Sequence, residues 1–413
     1  MFTSEEKEKI REYYEAVQKR IKEKHINCFK GHEKPVFLIS DTYPGVWLEH
    51  AYDSLFYAKL DGKYLDIAKN TLNLFLDKQK ENGQLPCFVI DMNKAPRWQE
   101  VGYSQIQECV SFSRLCYEYY EMSKDKEFLK KAYDKCVKWE NWYETYRKPS
   151  GKGLIEIFCG HDTGHDGSAR KEGMTYDRCA KDNDATVYPE GDDVLPMITP
   201  DNNAVYYGTL IALSNMAKEL GENAEHWEKK AEAVREKLFE ICYDGNDDFF
   251  YDVVKNGNRR KYLSISITNV FAERLLTQSE FDVIYNKHMK NPDEFCTEYP
   301  FPSMAKSDPS FRQNASGNSW GFYSQALTIL RCTRWMDYYG KSEDFDGILE
   351  KWVRQWTFGN DIMFGQELHP LTGKPSDCSE WYSSCMLVYL YAVERLKLMF
   401  REEKQHTSDI PLL

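Results

Sequence analysis

Apolar residues recur at i, i+3, i+4 and i+7 along most of the chain, the period of helices with one buried face. The pattern predicts helices over roughly 4–24, 47–60, 62–80, 103–121, 124–146, 202–219, 222–242, 320–339, 343–356 and 379–399, with weaker ones near 266–275 and 278–288. They come in pairs joined by short turns, with Gly62, Gly221 and Gly340 at helix ends and Ser123 placed as an N-cap. One stretch breaks the period: Phe249–Val254 and Lys261–Ile265 flank Asn256-Gly257, the signature of a β-hairpin. Four long connections remain, 82–102, 148–200, 290–318 and 357–378. Loops of that length in a compact domain are usually functional or disordered, and their Trp, Tyr, Pro and Gly content favours order.

No Pro/Ser-rich linker divides the chain, which predicts one domain over 1–413, with 1–45 as an N-terminal helix and lead-in and about 402–413 as a polar tail. Twelve paired helices without a fixed-period repeat predict an all-α fold. The expectation is an (α/α)6 toroid barrel of inner and outer helices, with one small β-hairpin and long loops at one end. A solenoid would show a sequence repeat.

Composition narrows the function. A net charge of −12 without a long basic run argues against nucleic acid and anionic membranes as partners. There is no apolar run long enough for a membrane span and no secretory h-region near Met1–Ile26. Twelve scattered cysteines without a CxxC pair fit a reduced, cytoplasmic protein. Aromatic residues make up 15% of the chain, and such rings fill cores or offer flat apolar platforms to sugars.

Two loops carry the candidate chemistry. Asp162-Thr163-Gly164-His165-Asp166-Gly167-Ser168-Ala169-Arg170 concentrates carboxylates, glycines and a guanidinium between two helical segments. Gln366-Glu367-Leu368-His369-Pro370-Leu371-Thr372-Gly373 lies far away, before the last long helix. A glycosidic oxygen leaves poorly unless protonated, and a second carboxylate must activate water or attack the sugar. Asp166 and Glu367 are the expected catalytic pair, with Asp361, Asp377 and Glu380 as rivals of Glu367. Asp53, among aromatic residues at a helix start, and Asn203 could accept or donate to sugar hydroxyls; helix capping is the competing role. His161-Asp162 and His165-Asp166 also allow a metal reading, but three nearby glycines oppose the helix that would align the histidines. No metal and no cofactor are expected.

These segments resemble the family 63 glycoside hydrolases and their relatives among trehalases and mannosylglycerate hydrolases. Asp162–Arg170 is similar to that group's Glu-Ser-Gly-Trp-Asp-x-Ser-x-Arg motif, and Asp201–Gly221 to its Leu-Asn-Ala-Tyr helix. Phe249–Ile265 is similar to its Gly-Phe-Tyr-Tyr-Asp segment. Pro302-Ser303 through Asp308-Pro309 with Asn318–Gly321 is similar to its Ile-Pro-Ser loop, and Glu367–Gly373 to its Glu-x-x-Asn-Pro-x-Thr-Gly loop. The resemblance implies an (α/α)6 barrel that hydrolyses an α-glycoside with inversion, Asp166 as acid and Glu367 as the nearest match to the base. The chain departs at Asp162 for Glu and His165 for Trp, and Gln366 takes the usual glutamate place when Pro370 is the anchor. Trp47, Asp53, Gln105, Asp162, Arg170, Asn203, Trp320, Glu380 and Trp381 form the expected substrate-binding set. A carbohydrate is the expected partner, with homo-oligomerisation open. A sugar epimerase, a lyase or a non-catalytic carbohydrate-binding protein of the same fold are the alternatives.

Overall fold

The computed structural model describes residues 2–179, 183–312, 317–359 and 364–399. The expected tail and the rival Asp361 lie outside them. Among the described residues there are twelve α-helices: α1 (Ser4–Arg20), α2 (Ala51–Leu60), α3 (Leu65–Leu76), α4 (Phe112–Ser123), α5 (Lys126–Tyr146), α6 (Pro200–Leu220), α7 (Glu225–Cys242), α8 (Ile267–Ala272), α9 (Gln278–Ile284), α10 (Ala326–Cys332), α11 (Ser342–Arg354) and α12 (Ser383–Arg395). The even-numbered helices touch in sequence, α2 to α4, α4 to α6, α6 to α8, α8 to α10, α10 to α12 and α12 back to α2. That closed ring is the inner layer of an (α/α)6 barrel. Outside it α3, α5, α7 and α11 pack on their inner partners, and α1 packs on α12.

Side-chain pattern matches the layer most clearly in α11, α12 and α6. In α11 the buried residues are Phe345, Ile348, Leu349, Trp352 and Val353, one stripe of an outer helix. In α12 every residue from Ser383 to Val393 is buried, as an inner helix with neighbours on all sides requires. α6 is similar, opening with Pro200 in its first turn and closing at Gly221, whose φ of +74° few other residues adopt. The tryptophans serve mainly as core: Trp139, Trp142, Trp335, Trp352 and Trp356 are fully buried, each costing about 3–5 kcal/mol if truncated to alanine.

Two helices start well after the point their apolar period predicts. α4 starts at Phe112, because Ser111 Oγ caps the Arg114 N–H and the Glu108 carboxylate accepts the Phe112 N–H at 2.6 Å. Glu108 is further held by Trp139 Nε1 and Tyr143 Oη, so residues 103–110 stay out of the helix. α10 starts at Ala326, because Ser324 and Gln325 pair antiparallel with Leu368 and Glu367. The expected hairpin forms from Asp252–Val253 and Arg259–Arg260 around Gly257 (φ +89°), while Phe249–Phe250 pairs back to Tyr243–Asp244. Among the described residues no helix is long and apolar enough to cross a membrane.

Candidate active site

A cavity of about 200 Å³ opens at the N-terminal ends of the inner helices. Residues 43–50 lead into α2, 98–107 into α4, 161–178 toward α6, 318–327 into α10, and 366 and 382 into α12; each group contributes to its wall. All four long connections reach it, through Trp98, His161 to Arg178, Asn318 and Gln366.

Asp166 faces this cavity, its side chain 40% exposed. Its Oδ2 accepts from Asn318 Nδ2 at 2.8 Å, and its Oδ1 lies 3.2 Å from His161 Nε2. Its backbone carbonyl accepts the Trp320 N–H at 2.8 Å, pinning the loop to the segment before α10. Burial lowers the His161 pKa, against the pull of Asp166, so its imidazole is neutral near pH 7. Gly164 supplies the turn before the acid at φ +69°; a Cβ there would sit 2.6 Å from Cys109 Sγ.

A second carboxylate on the wall is Glu49, which the sequence reading passed over. It accepts from Arg331 Nη2 and, at 3.3 Å, from Gln107 Nε2. Burial alone would raise its pKa, but Arg331, with His50 and Gln107, holds the carboxyl below its usual value. Tyr43, Trp47 and Trp98 form an aromatic wall, Trp47 meeting Tyr43 and Trp98 edge-on at 5.3 and 6.3 Å. Trp320 lines another part and is stacked on His165 at 4.2 Å. Of the expected set, Asp166, Trp47, Gln105 and Trp320 therefore line the cavity.

The others lie elsewhere, each for a visible reason. Asp162 is fully buried, its carboxylate taking three hydrogen bonds from Arg147 and the N–H groups of Ile106 and Phe158. Arg170 is buried between Asp201 and Asp252, bidentate to both at 2.7–2.8 Å, with His165 Nδ1 at 3.0 Å. It clamps the acid loop to α6 and to the hairpin. Burial and then Arg170 push the His165 pKa down to about 3. Asp53 is buried against Ser383 and Ser384 hydroxyls, tying α2 to α12. Asn203 bonds both backbone groups of Ile155. Glu380 is exposed outside the cavity, and Trp381 packs on Phe364 and beneath Arg20 while Tyr382 faces inward. Among the described residues, His161 and His165 do not converge on a common metal position, their ring nitrogens serving Asp166 and Arg170. Cys159, Asp162 and Cys179 do come within ligand range of one another, but Arg147 already saturates the Asp162 carboxylate.

Glu367 needs the most revision. It is fully buried and lies outside the cavity wall. Oε1 accepts the Ser319 N–H (2.7 Å) and Gln325 Nε2 (2.6 Å), and Oε2 accepts the Asn318 N–H (3.0 Å). Burial pushes its pKa up, opposed by those bonds and Ser376. The cavity instead receives its neighbour Gln366, whose Oε1 accepts from Tyr43 Oη (3.0 Å) and whose Nε2 donates to Asn318 Oδ1 (3.0 Å). A chain of bonds thus runs Tyr43–Gln366–Asn318–Asp166. The signal for Gln366 was present in the spacing to Pro370. For Glu49 it was the adjacency of a carboxylate to Trp47 at the mouth of a helix buried from Ala51 to Ala58.

The family model described as mannosylglycerate hydrolase MGH1-like glycoside hydrolase domain matches residues 50–384. Among solved structures, the GH63 mannosylglycerate hydrolase from Thermus thermophilus in complex with glucose superposes with a TM-score of 0.71 at 15% identity, covering 92% of this chain and 99% of that one. Its complex with Tris and D-glycerate gives 0.72 over the same shares at 15% identity. Neutral trehalase Nth1 from Saccharomyces cerevisiae gives 0.62 at 12% identity, covering 87% of this chain and 73% of that one. At these identities the structural likeness speaks for the shared fold. No curated protein matches the sequence.

Proposed function

The chain belongs to the mannosylglycerate hydrolase MGH1-like glycoside hydrolases, and from that premise we propose that it cleaves an α-glycosidic bond with inversion, Asp166 acting as the general acid. The observation that carries this is the placement of Asp166, a half-exposed carboxyl on the wall of an aromatic-lined cavity. Asn318 donates to Oδ2, which leaves Oδ1 to carry the proton for the leaving oxygen. Neutral His161 sits against Oδ1 and tolerates either protonation state, accepting from the acid or donating to the carboxylate.

The remaining groups divide the work. Glu49, kept ionised by Arg331, accepts hydroxyl hydrogens of the bound sugar. Tyr43, Trp47, Trp98 and Trp320 offer ring faces and edges to its CH surface. Gln366 directs the incoming water with its amide; water bonds to C1 as the C1–O bond breaks, and its surplus proton leaves to solvent, from which Asp166 is reprotonated. Glu367 is a positioning residue that fixes the Asn318 and Ser319 backbone behind Asp166. Single displacement is favoured because Asp162, the nearest carboxylate in sequence, is locked in the Arg147 pair and cannot attack.

The test is a panel of α-linked disaccharides and aryl α-glycosides followed by proton NMR. The β-anomer is expected first; an α-anomer first would exclude inversion. Asp166→Asn should cost about 10²–10⁴-fold on natural disaccharides and much less on glycosyl fluorides, which need no protonation. Wild-type turnover of the variant on a disaccharide would remove Asp166 from this role. Binding of sugars without turnover of any panel member would support the carbohydrate-binding alternative instead.

A further inference from the structure

The cavity holds a proton donor but no base at the place where the family resemblance puts one. Gln366 stands there, and an amide takes no proton from water at neutral pH. Its Nε2 gives one hydrogen to Asn318, and the second is uncommitted among the described residues. Glu367 is turned into the protein with both oxygens bonded. Glu49 is tied to Arg331 and held below the usual carboxylate range, which makes it a weak base. The same wall carries Arg178, whose guanidinium has no hydrogen bond or ion pair with another described residue. When Asp166 carries its proton, the cavity wall presents one carboxylate neutralised by Arg331 and one guanidinium without an ion pair among the described residues. The site is then neutral to cationic, inside a protein of net charge −12.

A nucleophile that is already an anion needs no base. We propose that this site transfers its glycosyl group to inorganic phosphate in competition with water, Arg178 and the spare Gln366 N–H holding the oxyanion. This rests on the assignment of Asp166 as acid. A phosphate oxygen bonds to C1 on the face opposite the leaving group. The C1–O glycosidic bond breaks, and its electron pair goes to the leaving oxygen, which takes the Asp166 proton. The proton left on the bound hydrogen phosphate then returns to Asp166. An α-glycoside plus hydrogen phosphate gives a β-glycosyl phosphate and an alcohol, with no oxidant or further reactant. A charged phosphate gains from Arg178 what water cannot, a charge-assisted bidentate contact.

The experiment incubates the full chain with the α-glycoside panel, with and without inorganic phosphate, and reads products by ³¹P and proton NMR. The expected result is a β-glycosyl phosphate signal and faster consumption of glycoside in phosphate. Gln366→Glu should raise hydrolysis about 10²–10⁴-fold by restoring a base, and should suppress the phosphate product by repulsion. Arg178→Ala should raise the half-saturating phosphate concentration about tenfold or more, the loss of its bidentate charged contact. Hydrolysis that proceeds at the same rate with no phosphorylated product in either buffer would overturn the proposal and leave the hydrolase reading standing. No cleavage in either buffer would overturn both.

Discussion

Arg170→Met separates a scaffold role from a substrate-binding one. The guanidinium is buried and donates to both oxygens of Asp201 and of Asp252. Methionine fills similar volume and leaves two buried carboxylates without their cation. Removing one partner of a buried pair costs about 3–5 kcal/mol, and with two carboxylates stranded the upper end, about 5 kcal/mol, is expected. Unfolding entropy of about 2 cal/mol/K per residue gives a chain of this length roughly 0.9 kcal/mol per degree, hence a Tm lowered by about 6 °C. The deficit should also depend on pH. Without Arg170 the folded-state pKa of a buried carboxylate rises above its unfolded value, so protonation favours the folded form. The stability gap to wild type should therefore narrow as pH falls from neutral toward the unfolded Asp value of about 3.9. Calorimetry between pH 4 and 8, read with kinetics, checks both. An unchanged Tm together with a raised KM alone would show the guanidinium reaching substrate and would refute the clamp.

Three further outcomes follow from the same geometry. Glu49→Gln removes the carboxylate that Arg331 holds at the cavity and should raise KM by about ten- to a hundredfold, the worth of a charged hydrogen bond; an unchanged KM would exclude sugar contact. Gly164→Ala places a Cβ 2.6 Å from Cys109 Sγ at φ +69°, which should cost about 2–5 kcal/mol in a urea titration; a stability loss under about 1 kcal/mol would show that the turn relaxes. Burial lowers the pKa of His25 to about 4 and that of His165 to about 3. The unfolded chain protonates both near 6.5 while the folded chain does not, so stability should fall as pH drops below 6.5, by about 2 kcal/mol per histidine at pH 5. A urea midpoint that stays flat between pH 6.5 and 5, or is no flatter in His165→Gln, would contradict this.

The helical period located the helices and their pairing but assigned none of them to a layer, because inner α4 carries a buried stripe much like an outer helix. In the fold, the stripe Phe345, Ile348, Leu349, Trp352, Val353 lies on outer α11 and the unbroken apolar run Leu387–Val393 on inner α12. Spacing also marked Asp166, since Gly164 and Gly167 both take positive φ around it. Periodicity misjudged α4 and α10, where side-chain bonds from Glu108 and strand pairing at Ser324–Gln325 override local preference. It also could not say which acids face the cavity. Asp53, Asp162, Asp166 and Glu367 look alike as letters. What sorts them is whether a cation or a set of N–H donors, distant in sequence, meets the carboxylate in the fold. Arg147 is 15 residues from Asp162, and Asn318 is 49 from Glu367. The choice between Gln366 and Glu367 turns on a single residue of strand register. Successive side chains on a strand point to opposite faces, so pairing Glu367 with Gln325 sends the carboxylate inward and the amide to the cavity.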